Sequence, residues 1–165
     1  MNGEYAALAG RIREELAELE QVIDRTELLM TKFQRLGDDG YLDGVALNLH
    51  GFYAGMERIF EDIAKVMEGS VPSGADWHRD LLIQMSAEVS GVRPAVILRD
   101  TRHCLDEYRA FRHLVRNVYT FNLRPSRLQE LVTEVRACYV AVCRDLEGFA
   151  DFLDRSALIE ANESI

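Results

Sequence analysis

Apolar residues recur at three- and four-residue steps through most of this chain, and that period leaves little room for anything but helix. From about Tyr5 to Leu36, the residues Leu8, Ile12, Leu16, Leu19, Ile23, Leu29, Met30 and Phe33 mark one face of a single long helix. Acids gather early in it (Glu14, Glu15, Glu18, Glu20), with Lys32 and Arg35 near its end, the order that suits the helix dipole. Gly37-Asp38-Asp39-Gly40 stops it. A second helix is expected from about Leu42 to Met67. Its apolar positions, among them Val45, Leu49, Phe52, Tyr53, Met56, Ile59, Phe60 and Ile63, are too broad for one stripe. That breadth implies several neighbours or a second subunit.

The loop Gly69–Gly74 follows, and Asp76 reads as the N-cap of a short helix from Trp77 to about Ala87. Pro94 is placed for the first turn of the next helix, which the spacing carries to about Phe121. Asn122-Leu123-Arg124-Pro125 breaks it. Ser126 with Gln129 forms a capping-box pattern for a last helix ending near Leu153, before a polar, frayed tail. No stretch alternates as a strand would. The expected fold is all-α: an up-and-down bundle of four long helices plus one short helix. It forms a single domain over residues 1–153, with 154–165 as a C-terminal tail.

At 48 % hydrophobic residues the chain is no disordered polymer, yet no apolar run approaches the roughly 20 residues of a membrane helix. With no signal-peptide core at its start, a cytoplasmic protein is expected. Cys104, Cys138 and Cys143 are odd in number and lack CxxC spacing, so they read as reduced apolar helix residues without a disulfide. The net charge of −9 disfavours a general nucleic-acid coat protein. From Arg99 to Arg127, however, seven arginines face only Asp100, Asp106 and Glu107. A basic strip on an acidic body suits one phosphate, or an acidic partner, better than a long backbone.

That strip is densest from Arg109 to Tyr119. At about 100° per residue, Arg112, His113, Arg116 and Asn117 share one polar arc, and Phe111, Val115 and Val118 point away. A helix of this kind would place Tyr119, one heptad after Arg112, beside it. Fixed guanidinium charge next to an imidazole and an amide suits a phosphodiester, although a solvated helix face also carries such residues. His50, His78, His103 and His113 have no metal-ligand spacing, and no phosphate-binding or dinucleotide glycine fingerprint occurs. Neither a metal nor a cofactor is expected. His50 and Glu57 lie two turns apart on the second helix, and a lone histidine there reads as a hydrogen-bonded structural residue.

In order along the chain come Leu49-His50-Gly51-Phe52-Tyr53, Glu57-Arg58-Ile59-Phe60, Gly74-Ala75-Asp76-Trp77-His78, Arg93-Pro94-Ala95-Val96-Ile97, Phe111-Arg112-His113 and Arg116-Asn117-Val118-Tyr119. With these the chain resembles the HepT-like members of the HEPN superfamily, ribonuclease toxins of toxin–antitoxin pairs. The family motif is an arginine, a polar residue, three spacers, a histidine, one more residue and a tyrosine. On this chain Arg112 takes the arginine place, His113 the polar place and Tyr119 the tyrosine place. The histidine place falls on Asn117, so His113 and Asn117 are exchanged relative to the familiar order. Residues four apart on a helix are stacked neighbours, and an imidazole at either position reaches nearly the same point.

The resemblance implies a homodimer whose motif helices face each other, and metal-independent RNA cleavage. Arg112, His113 and Asn117 would be catalytic, with His113 as acid or base, and Arg109 and Arg116 would contact RNA phosphates. It also implies a minimal nucleotidyltransferase antitoxin that adds AMP to Tyr119. The exchange at 117 leaves a second reading open: a catalytically inactive HEPN dimer that serves as a regulatory subunit of that nucleotidyltransferase.

Overall fold

The computed structural model describes residues 2–165. Its helices are α1 (Asn2–Leu36), α2 (Gly40–Glu68), α3 (Trp77–Met85), α4 (Arg99–Asn117) and α5 (Pro125–Glu163), with one 3-10 turn at Thr120–Asn122. Among the described residues there is no strand, only an isolated Val89–Arg93 bridge. The architecture is the all-α bundle that the periodicity requires.

Gly37 ends α1 at φ 69°, a left-handed conformation open to glycine, and its N–H donates to Phe33 O at 2.8 Å. The short turn that follows makes α2 antiparallel to α1, as the Arg11–Asp62 and Arg58–Glu15 pairs show. Gly55 allows the approach: a Cβ there would stand 2.6 Å from a Leu19 methyl. Helix α5 is antiparallel to α1 as well, with Arg13 on Asp151 and Asp154 at one end and Arg136 on Asp24 and Glu27 at the other. Exposed pairs of this kind stabilise by only about 0–1 kcal/mol each. The apolar face between them does more, since each fully buried large side chain contributes about 1.5–3 kcal/mol. The breadth of α2 is explained within one chain, because it packs against α1, α3, α4 and α5.

Helix α4 runs antiparallel to α5. Its start is capped from α5: Asp145 Oδ2 accepts the Leu98 N–H at 2.9 Å and the Thr101 hydroxyl at 2.6 Å. Pro94 therefore does not open the helix. The segment before Arg99 is held as a loop by buried Arg93, which donates to Glu68 and to the carbonyls of Gln84, Ala87 and Pro94. At its other end α4 stops at Asn117, four residues short of the expected Phe121. Val118 is extended (φ −133°, ψ 158°), and the chain turns so that Leu123 packs on the core.

Three further expectations are corrected. The last helix is opened by Pro125 at its first turn with Arg124 before it, and no Ser126 capping bond forms. It does not end near Leu153 but continues to Glu163, because α1 supports it: Leu153 is buried and Asp154 accepts from Arg13 at 2.7 Å. The cysteines are not all reduced. Cys104 of α4 and Cys138 of α5 form a disulfide across a Cα–Cα distance of 5.8 Å, leaving Cys143 as a thiol. Spacing along the chain could not show this, since the pair meets only when α4 and α5 lie side by side. No helix is long and apolar enough to cross a membrane among the described residues.

Candidate active site

Helix α3 begins where α4 ends, and between them lies a cleft of about 470 Å³. Ala75, Asp76, His78 and Arg79 form one wall; Arg109, Arg112, His113, Arg116 and Asn117 form the other. The α4 residues arrive there by helical spacing alone, as steps of three, four and seven put them on one face. Arg109 is steadied by Asp106 at 2.7 Å. The Asn117 amide nitrogen donates to its own helix, to His113 O at 2.7 Å.

Behind the α4 wall sits Glu57 of α2, only 4 % exposed. One carboxylate oxygen lies 2.7 Å from His78 Nδ1 and the other 3.9 Å from an Arg112 guanidinium nitrogen. A buried carboxylate needs such partners, because an unpaired ion in the interior costs several kcal/mol after relaxation, roughly the scale of the fold's whole stability. His78 is also stacked on Trp77, with ring centroids 3.7 Å apart. Arg112 is less well served. Its Nε is buried without a hydrogen-bond partner, and a buried unsatisfied donor costs about 1–3 kcal/mol. His50, half-buried on α2, feels the same arginines: burial first, then Arg112 and Arg116, push its imidazole below the ordinary value, against a smaller pull from Glu57.

Five of the six candidate residues, Arg109, Arg112, His113, Arg116 and Asn117, thus line one cleft. Tyr119 does not join them. Because α4 ends at Asn117, Tyr119 stands outside the helix and is 73 % exposed, with its ring stacked on Phe121 at 5.6 Å. It is not the neighbour of Arg112 that a continued helix would have made it. Sequence reasoning also missed Glu57 and His78 as site residues. For Glu57 the signal was weak: it follows Met56 and lies one turn from Tyr53 and Phe60 on the apolar side of α2, but Arg58, Glu61 and Asp62 beside it make it read as one more charge of a solvated face. For His78 there was none, since its partner lies 21 residues away on another helix. Among the described residues no group of three or more His, Cys, Asp or Glu side chains is placed to hold a metal ion.

Comparison with known proteins gives one family match: the model described as HepT-like protein covers residues 44–153, from the first turns of α2 to Leu153 of α5 and so the whole cleft. No curated protein and no solved structure matches the chain.

Proposed function

The chain belongs to the HepT-like family, and from that premise we propose that it is an endoribonuclease toxin that cleaves RNA without a metal ion and is held in check by a nucleotidyltransferase antitoxin. The observation that carries this reading is the cleft itself, where Arg79, Arg109, Arg112 and Arg116 converge with two histidines on a chain whose net charge is −9. Four arginines gathered in one concave site fit a single phosphodiester. Arg112, through the part of its guanidinium that reaches the cleft, and Arg116 would take up the charge that develops on the phosphoryl oxygens when the ribose 2′-hydroxyl attacks. His113 and Asn117 stand on the same wall for proton transfer and for orienting the substrate. The protein would act as a homodimer with its motif helices opposed. Exposure of the Tyr119 hydroxyl-bearing ring suits its modification by AMP, whose negative charge and bulk would obstruct phosphate binding near the end of α4.

A second reading is favoured by one residue. Asn117 stands in the histidine place of the motif, and its amide is turned back onto the helix. On this reading the protein is a silent dimer that serves as a regulatory subunit of the nucleotidyltransferase.

RNA cleavage by the purified, unmodified protein in EDTA separates the two. The ribonuclease reading expects clear wild-type cleavage, lowered roughly 10²- to 10³-fold by Arg112→Ala, the usual loss when one charge-stabilising donor is removed. It also expects RNA binding that weakens as salt is raised. A wild-type protein inert on RNA would leave the regulatory reading in its place.

A further inference from the structure

The cleft holds two histidines, and their surroundings differ. His113 is exposed on the outer turn of α4. His78 is fixed from two directions: Trp77 holds its ring plane, and Glu57 holds its Nδ1 at 2.7 Å. A carboxylate at that distance keeps a proton on Nδ1 and leaves the lone pair on Nε2. The side chain is still 28 % exposed, and it lines the cleft. Glu57, by contrast, is buried, and its other oxygen faces Arg112. Carboxylate, imidazole and open cleft therefore lie in series, the order by which a buried acid orients a histidine for proton transfer.

We infer that His78, positioned by Glu57, is the general base that takes the ribose 2′-hydroxyl proton. This rests on the ribonuclease reading above. As the 2′-oxygen forms its bond to phosphorus, its proton passes to His78 Nε2. The bond from phosphorus to the 5′-oxygen breaks with its electron pair on that oxygen, which takes a proton from the His113 imidazolium. The products are a 2′,3′-cyclic phosphate and a free 5′-hydroxyl, and both rings return to their starting states by proton exchange with water. The inference also gives Asn117 a reason. With the base supplied from α3, the motif's second polar position on α4 needs no imidazole, and His113 one turn earlier serves as the acid.

The test is the pH dependence of kcat/KM on a short RNA for wild type and four variants. The groups facing His78 are Glu57 from α2, Asp76 and Arg79 beside it, and Arg109, Arg112, His113 and Arg116 from α4. A limb of the profile is therefore assigned only by comparing variants. The wild type should lose rate at low pH as the base is protonated and at high pH as the acid is lost. His78→Ala should fall about 10²- to 10⁴-fold and lose the acidic limb, with part of the rate restored by added imidazole. His78→Gln should be as inactive while folding normally, because an amide can still donate to Glu57. Glu57→Gln should lower kcat with KM nearly unchanged, because an amide facing Nδ1 no longer fixes the tautomer that leaves the lone pair on Nε2. A merely structural glutamate would lower the folded fraction and leave kcat per folded molecule in place. His113→Ala should keep the acidic limb and lose the alkaline one. An active wild type whose His78→Gln variant keeps both rate and acidic limb would overturn the assignment and leave the ribonuclease reading standing. An inert wild type would overturn the ribonuclease reading, and the base assignment with it.

Discussion

Two arginines of this fold reach back to glutamates on α2, and the structure treats them in opposite ways. Glu57 and Glu68 are eleven residues apart, about three turns, and so share a face of that helix. Arg93 meets Glu68 with a side chain fully shielded from solvent, and all its nitrogens are engaged. Nε donates to the carboxylate at 2.7 Å, and the terminal nitrogens reach the carbonyls of Ala87, Pro94 and Gln84 at 2.8, 3.0 and 3.2 Å. Arg112 meets Glu57 only at 3.9 Å, keeps 16 % of its side chain exposed, and leaves Nε without a partner. The saturated guanidinium has nothing left to offer a ligand and serves to fold the loop before α4. The unsaturated one sits at a cleft with donors to spare. A phosphate in the cleft would meet the exposed part of that guanidinium and add the close charge-assisted hydrogen bonds that Glu57, at 3.9 Å, does not supply.

The contrast is most easily broken by removing each arginine in turn. Arg93→Ala leaves three carbonyls without their donor and Glu68 without its cation, with only the Gln84 amide still donating to it, and should cost about 3–5 kcal/mol in urea denaturation. Arg112→Ala should stay within about 1 kcal/mol of wild type, because removing a buried orphan donor offsets much of what Glu57 loses. Comparable losses would mean that Arg112 is a structural ion like Arg93, and the proposed phosphate site would lose its main support.

The same two arginines show how far the sequence could be read. The placing of Arg109, Arg112, His113 and Arg116 together was legible because it depends only on the turn of one helix. So was the bundle, since the period of Leu8 to Phe33 or Leu128 to Phe152 is a local property. Arg93 was not legible as a buried ion, nor His78 as a partner of Glu57, because each depends on which helices face each other. Helix ends were also obscure: nothing local distinguishes Val115, inside α4, from Val118, where the chain becomes extended. That single step removed Tyr119 from the arc on which a longer helix would have placed it.

The disulfide sharpens the comparison along α4. The first half of the helix is fastened to α5 by Cys104–Cys138, by the Asp145 cap, and by the Tyr108 hydroxyl, which donates to Leu131 O at 2.7 Å. The second half forms the cleft wall, where Arg112 is only loosely held. Closing a 34-residue separation should stabilise the fold by about 2–4 kcal/mol. Cys138→Ser, or reduction of the wild type, should lower the unfolding free energy by that amount. Hydrogen exchange should show the loosening reach Arg112 and Arg116 if the fastened half supports the cleft. Unchanged exchange there would mean that α2 and α3 hold the wall by themselves.

The finest measure of the difference is the titration of His50, which senses whether the charge of Arg112 is already cancelled. Burial, Arg112 and Arg116 together lower its folded value below 6.5, whereas the unfolded chain titrates near 6.5. Between those values the unfolded state binds more protons. The contribution of His50 to stability is therefore complete above about pH 6.5 and is lost as pH falls from there through the lower folded value. In an NMR titration the midpoint of its ring resonances should lie below 6.5, and Arg112→Gln and Arg116→Gln should each shift it upward. A midpoint unmoved by Arg112→Gln would show that Glu57 neutralises Arg112 as fully as Glu68 neutralises Arg93. Inorganic phosphate added to the wild type should also raise the midpoint, because an anion in the cleft cancels the same charge without altering a side chain. Should the substitutions raise it and phosphate fail to, the arginines are uncancelled but the cleft does not gather an anion, and the free charge would belong to a protein contact instead.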